Sequence, residues 1–151
     1  MAGTSGTLTL GAKLLGAGAA AAIPMRQIGS SAGSALWADS SLPLCVSVGQ
    51  SNACVPGLFD SGMYTMQVSG PVLGQAPTIA GTDHVVAGTP VSVTLSGASA
   101  PFWTFTAGTT KSADLVTVKT GRRPFVNTGV QAFYDYTITY DDTSGQILLS
   151  R

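Results

Sequence analysis

The chain has 151 residues, and its seven basic and seven acidic side chains give a formal net charge of zero. This length suits one domain with a single core, and the balanced charge gives no support for binding to nucleic acid or to an acidic membrane. Charged residues make up only 9% of the chain and hydrophobic residues 44%, which excludes a disordered segment. All seven acids are aspartate, and the absence of helix-favouring glutamate beside 19 glycines and 8 prolines indicates strands and turns.

The first predicted elements are a strand over residues 7–10 and a short helix in the Ala-rich run over residues 14–22. The apolar stretch "KLLGAGAAAAI" is too short to span a bilayer and lacks a basic start, so we expect neither an export signal nor an anchor in this chain. Runs of β-branched and aromatic residues predict the remaining strands. These strands cover residues 44–48, 57–59, 64–68, 90–95, 102–106, 114–120, 136–140 and 146–149.

The remaining elements are a single helical turn over residues 130–133 and a turn in "YDDTSG". Polar and apolar residues alternate in several strands, as in "PVSVTL", which is typical of half-buried strands. The predicted fold class is therefore all-β, with antiparallel sheets or a partly open barrel and one or two short helices.

Two cysteines, Cys45 and Cys54, lie nine positions apart in "CVSVGQSNAC". Gly49 and the polar residues after it allow the segment to fold back as a hairpin-like loop. We predict a disulfide that stabilises the fold by about 2 to 3 kcal/mol. The alternative is two free thiols in a cytosolic protein. No metal site is predicted, because the only histidine, His84, has no partner at ligand spacing.

One carboxylate, Asp60, lies in "GLFDSG", directly after the apolar Leu58 and Phe59. A buried strand followed by a tight turn would hold this side chain in the interior. Asp-Ser-Gly alone is a weak signal, because chance alone produces such a tripeptide in roughly one chain in ten. A second segment, "FVNTGVQAFYDYTITYDDTSGQILL", then combines an apolar entry, a glycine, one helical turn, a strand, an Asp-rich turn and a final strand.

In these two segments the sequence resembles the C-terminal lobe of the pepsin-like aspartic proteases, in their bacterial form. In that family a catalytic Asp-Thr-Gly loop ends a buried strand, and an apolar-apolar-Gly segment crosses behind it. "LFDSG" resembles the first feature, and "FVNTG", which ends at Gly129, resembles the second. "GTLTLG" and "CVSVGQSNAC" resemble the opening strand and the cysteine-bounded segment before the motif. The resemblance implies one lobe over residues 1–151, with residues 1–6 as a linker or a segment added for expression.

The resemblance implies an endopeptidase that needs no cofactor. Two aspartates, one from each lobe, would share a proton and activate a water molecule. Asp60 would be one of them, Ser61 would turn its hydroxyl inward to brace the loop, and Gly62 would donate to a carboxylate oxygen. The expected partners are a peptide or protein substrate and a second lobe or second copy that carries the other aspartate. The expected location is secreted, periplasmic or at the cell surface, with the export signal outside this chain.

Two departures from the family pattern leave alternatives open. The residue after Asp-Ser-Gly is usually Ser or Thr, but here it is Met63, which cannot donate a hydrogen bond to the aspartate. The chain also carries one such motif instead of two. We expect a separate N-terminal lobe to supply the second aspartate. The alternatives are a homodimeric retropepsin-like protease and a non-catalytic β-rich binding or adhesion module with a degenerate protease fold.

Four other side chains are expected to have ordinary structural roles. Trp103 is expected in the core or at its rim, with a substrate-contacting role as the less favoured alternative. His84 is expected in a loop, and Arg122 and Arg123 form a small basic turn at the solvated surface.

Overall fold

A computed structural model of the protein describes residues 19–108 and 115–151. The predicted strand over residues 7–10 and the first part of the predicted strand over residues 114–120 lie outside these ranges. The described residues form twelve strands, two 3-10 turns and one short helix. The strands are β1 (Ala19–Pro24), β2 (Arg26–Ser31), β3 (Ser34–Ala38), β4 (Leu42–Val48), β5 (Ser51–Leu58), β6 (Met66–Ser69), β7 (Pro90–Leu95), β8 (Trp103–Thr106), β9 (Val116–Lys119), β10 (Phe125–Asn127), β11 (Thr137–Asp141) and β12 (Gln146–Ser150).

The largest sheet of the described residues has seven strands in the order β8-β7-β4-β5-β10-β6-β9 and curls into a half-barrel. Most neighbouring strands in it are antiparallel, but β10 pairs with β5 and β6 pairs with β9 in parallel. Two smaller antiparallel sheets complete the described fold, one with the order β1-β12-β11 and one formed by the β2–β3 hairpin. The all-β prediction is confirmed.

The predicted helix over residues 14–22 is wrong where the structure describes it. Residues 19–22 belong to strand β1, which pairs with β12 so that Ile23 lies opposite Ile147. Both of these isoleucines are fully buried. Hydrogen bonding and apolar packing within the sheet outweigh the helix propensity of four alanines, since intrinsic propensity differs by well under about 1 kcal/mol per residue.

The β4–β5 hairpin carries the two cysteines at directly opposed positions, and Cys45 and Cys54 form the predicted disulfide. Gly49 turns the chain between the two strands with a positive φ of 60°. The alternation in β4, where Leu42, Leu44, Val46 and Val48 are all buried, places one face of the hairpin on the core.

The helical elements are short: 3-10 turns at Leu73–Gln75 and Gly129–Gln131, and the helix α1 (Ala132–Asp135). The last two together contain the helical turn predicted at residues 130–133. Among the described residues, no helix has the length and apolar character to cross a membrane. Trp103 is 1% exposed in the core and donates through Nε1 to Asp135 Oδ2 at 2.9 Å, so its predicted structural role is correct.

Candidate active site

Strand β5 delivers Asp60 to the edge of the core. Phe59 directly before it is only 3% exposed, whereas Asp60 itself is half-buried. The hydroxyl of Tyr140, on β11, donates to the backbone carbonyl of Phe59 at 3.1 Å. The residue before the carboxylate is therefore fixed on two sides, by core packing of its ring and by a hydrogen bond to its backbone.

A tight turn follows Asp60 and holds the first carboxylate oxygen. The backbone N–H of Met63 points back to the carbonyl of Asp60 at 3.4 Å, and the N–H of Gly62 donates to Asp60 Oδ1 at 2.9 Å. A Cβ atom on Gly62 would lie 3.2 Å from the same oxygen, so glycine lets the backbone approach the carboxylate. Ser61 lies at the outer corner of this turn and is exposed. The expectation that its hydroxyl turns inward to brace the loop stays a prediction.

Strand β10 lies between β5 and β6, although β5 and β6 follow one another in the chain. Asn127 is paired with Leu58, and the N–H of Thr128 donates to the Leu58 carbonyl at 2.9 Å. The end of β10 is thus placed beside the end of β5. The segment ending at Gly129 therefore lies next to the Asp60 turn.

Asn127 holds the second carboxylate oxygen. Its Nδ2 donates to Asp60 Oδ2 at 2.8 Å, while its Oδ1 accepts the backbone N–H of Gly129 at 2.9 Å. The Gly129 N–H can only donate, so it fixes which end of the amide faces Asp60. Each oxygen of the Asp60 carboxylate thus has one donor, and the plane of the carboxylate is set by groups on two different strand ends.

Gly129 allows this close approach. Its φ is +64°, and a Cβ atom there would lie 2.5 Å from the Thr65 carbonyl oxygen and 2.9 Å from that of Met63. The next residue, Val130, donates its N–H to the Met63 carbonyl at 2.7 Å. The two loops are therefore tied together by backbone contacts that leave no room for a side chain.

The Met63 side chain contacts Gln67, since its sulfur accepts a hydrogen bond from Gln67 Nε2 at 3.6 Å. The donor that Met63 cannot provide to the carboxylate is supplied by Asn127. Asn127 is the site residue that the sequence predictions missed, and its only signal was its place two residues before Gly129 in "FVNTG".

Tyr140 also contributes to the electrostatics of the site. Burial raises the pKa of its hydroxyl to about 12, and the carboxylates of Asp39 and Asp60 add to this effect. The hydroxyl therefore stays protonated, and remains a donor to the Phe59 carbonyl, over the whole range in which proteins normally work.

His84 lies in a loop that bridges to Thr117 on β9, with its Nε2 3.7 Å from Asp83 Oδ1. The part of the chain that the structure describes holds no group of three or more His, Cys, Asp or Glu side chains arranged for a metal ion.

Comparisons with protein-family models, with curated proteins and with solved structures gave no match.

Proposed function

We propose that the chain is one lobe of a pepsin-like aspartic endopeptidase and that Asp60 is one of its two catalytic aspartates. The observation that carries the proposal is the Asp60 carboxylate, held by Gly62 on one oxygen and by Asn127 on the other. A general acid or base must be held in position before the substrate arrives, and a carboxylate with one fixed donor per oxygen meets this requirement.

The second aspartate comes from another lobe or another copy, since the sequence contains one Asp-Ser-Gly motif and no Asp-Thr-Gly. The two carboxylates share one proton and hold a water molecule between them. One removes a proton from the water as it attacks the peptide carbonyl, and the other protonates the carbonyl oxygen. Two carboxylates at this distance cannot both be charged at low cost, so the pair titrates in two separate steps.

The contact from Asn127 compensates for the hydroxyl donor that Met63 does not provide. A carboxylate that lost a hydroxyl donor and gained nothing would be less well fixed. In this chain the amide of Asn127 donates instead, at 2.8 Å. The Cys45–Cys54 disulfide is compatible with an oxidising compartment, and we infer that the protein is exported.

The test is hydrolysis of a quenched fluorescent peptide library at acidic pH by the chain assembled with the lobe or copy that carries the second aspartate. Asp60→Asn keeps the size of the side chain and removes its acid–base chemistry. It should lower kcat/KM by at least about a hundredfold, and pepstatin should inhibit the unmodified protein. Asp142→Asn is the matched control, because Asp142 is exposed in the turn before β12. Unchanged cleavage by the Asp60→Asn protein would overturn the proposal.

A second candidate is a non-catalytic binding module. It is favoured by the same hydrogen bonds, since both oxygens of Asp60 already have donors within the chain. Trp103 is buried and cannot be its binding surface, whereas Tyr64, close after the Asp60 turn, is 69% exposed. In this case Asp60→Asn would leave ligand binding intact, and Tyr64→Ala would weaken it.

A further inference from the structure

A mostly polar surface of the half-barrel sheet, made of buried and half-buried residues, begins at the Asp60 site. Cross-strand partners share a face of a sheet, and β10, β6 and β9 are aligned so that Asn127, Gln67 and Thr117 form one row. The next row towards the β9–β10 loop contains Phe125, Ser69 and Lys119. Alternate residues of the same strands face the core, where Val68, Val118 and Val126 are buried.

This surface forms one wall of an open cleft of about 410 Å³. Ligand pockets in proteins have volumes of about 300 to 1,000 Å³, so the cleft is large enough for part of a peptide. Its polar and basic lining residues are Gln67, Ser69, Lys119, Arg122, Arg123 and Asn127. Three of the six are cations, and the lining includes no carboxylate.

The two arginines are the unpaired charges of this cleft. The ammonium of Lys119 is hydrogen-bonded to Asp83, and this contact holds the pKa of the Asp83 carboxyl below its usual value. Lys119 is therefore already neutralised. Arg122 and Arg123 are both exposed, and within the described ranges neither guanidinium has a hydrogen bond or ion pair. The uncompensated charge of the cleft is therefore positive.

The cleft and the Asp60 site share a wall. Asn127 lines the cleft and donates to Asp60 Oδ2 at 2.8 Å. Arg123 lies four positions before Asn127, across the bend at Pro124, so their Cα atoms are at most about 13 Å apart at roughly 3.3 Å per residue. An extended peptide held at Asp60 would cover this distance with at most about four of its own residues.

A second cleft on the same sheet provides a contrast. It has a volume of about 520 Å³ and is lined by residues of β4, β7 and β8, among them Ser47, Ser92 and Thr104, with no charged side chain. Size and polarity alone therefore do not distinguish the first cleft from the second. The first cleft differs in its position beside Asp60 and in its two unpaired guanidinium groups.

We propose that this cleft is a substrate subsite in which Arg122 and Arg123 bind a peptide carboxylate two to four residues from the bond that is cleaved. The inference rests on the proposed function, because it takes the peptide held at Asp60 as the ligand. Guanidinium groups bind carboxylates through paired, charge-assisted hydrogen bonds, and two adjacent arginines offer several such donors. The carboxylate is that of an acidic side chain or of the C-terminus of the substrate.

The test is an NMR titration that follows the arginine Nε–H signals and the backbone amides of β6, β9 and β10. The probes are three N-terminally blocked octapeptides of otherwise identical, alanine-based sequence. The first has glutamate and an amidated C-terminus, the second has glutamine and a free C-terminal carboxylate, and the third has glutamine and an amidated C-terminus. They are added to the unmodified protein, to Arg122→Gln/Arg123→Gln and to the control Arg26→Gln, which removes an exposed arginine on β2.

We expect at least one carboxylate peptide to bind about tenfold more tightly than the neutral peptide, which corresponds to about 1.4 kcal/mol. This preference should be lost in the double variant, kept in the Arg26→Gln protein and weakened by added salt. Comparison of the first two peptides shows whether the arginines bind a side-chain carboxylate or a C-terminal carboxylate. Equal binding of all three peptides, or a preference that survives the double substitution, would overturn the subsite. Binding is measured without cleavage, so a failure of the Asp60 chemistry would be seen separately in the hydrolysis assay.

Discussion

At the scale of single residues, the site depends on one buried amide. Asn127 is 9% exposed and joins the Asp60 carboxylate to the backbone N–H of Gly129. One side chain therefore positions the carboxylate and also fixes the loop behind it. Its removal would leave the Gly129 N–H buried without an acceptor, which costs more than the hydrogen bond itself contributes.

We predict that Asn127→Ala lowers the free energy of unfolding by about 1 to 3 kcal/mol. Urea denaturation followed by fluorescence measures this change. Asn52→Ala is the control, since Asn52 is exposed on β5, and it should change the stability by less than about 0.5 kcal/mol. Equal effects of the two substitutions would show that the amide of Asn127 does not hold the site together.

The sequence located part of this site but not its most connected residue. The motif around Asp60 and Gly62 could be recognised because it depends on neighbours in the chain. The contact from Asn127 depends on a strand that arrives 67 residues later, and its partner cannot be found by local pattern. The motif likewise does not show how exposed each residue of the turn is, and Ser61 is exposed.

At the scale of elements, the site is made by the insertion of β10 between β5 and β6. This insertion brings the backbone of Gly129 against the carbonyl groups of Met63 and Thr65. The other side of the contact is the loop after Asp60, so any displacement of β10 moves the carboxylate. Gly129 is required both by its positive φ and by the lack of space for a side chain.

We predict that Gly129→Ala lowers the free energy of unfolding by about 2 to 4 kcal/mol, from the strained backbone and from the steric overlap together. Gly33→Ala is the matched control. Gly33 has a similar positive φ of 82°, but a Cβ atom there meets nothing within 4 Å. Gly33→Ala should lower the free energy of unfolding by only about 1 kcal/mol. Thermal and urea unfolding of both variants measure the difference, and similar losses would mean that β10 does not pack tightly against the Asp60 loop.

The strands that the sequence predicted well are those whose residue pattern fits a half-buried strand. Strands β7, β11 and β12 alternate or are rich in β-branched residues, and they lie within one or two residues of the predicted limits. The β2–β3 hairpin was missed because its residues are mostly small, polar and exposed. Strand β5 extends back to Ser51, beyond the predicted start at residue 57, because pairing with β4 and the disulfide hold a segment that has little strand propensity of its own.

At the scale of the whole molecule, the proposed chemistry needs a second carboxylate. Asp39 is close enough to influence Tyr140, but it is exposed and lacks the glycine that gives Asp60 a backbone donor. The remaining acids that the structure describes are assigned to other contacts or to turns: Asp83 binds Lys119, Asp135 accepts from Trp103, Asp141 accepts from Ser144, and Asp142 is exposed in the turn before β12. None of the aspartates that the structure describes completes a pair with Asp60, so the proposed enzyme needs another lobe or another copy.

We predict that the chain alone is a monomer in sedimentation equilibrium and cleaves no peptide, because in the proposed enzyme a separate lobe supplies the second aspartate. Addition of that lobe should restore hydrolysis in proportion to the complex formed, and Asp60→Asn should abolish it. A homodimer would behave differently: its activity per chain would rise with concentration as the dimer forms, and mixing with an excess of the Asp60→Asn chain would suppress it, since every mixed dimer lacks one carboxylate. The same mixing with Asp142→Asn chains would leave the activity unchanged. If the activity rises with concentration and the Asp60→Asn chain suppresses it, the enzyme is a symmetric homodimer and not a two-lobe protein. Asp60 would keep the same catalytic role in it.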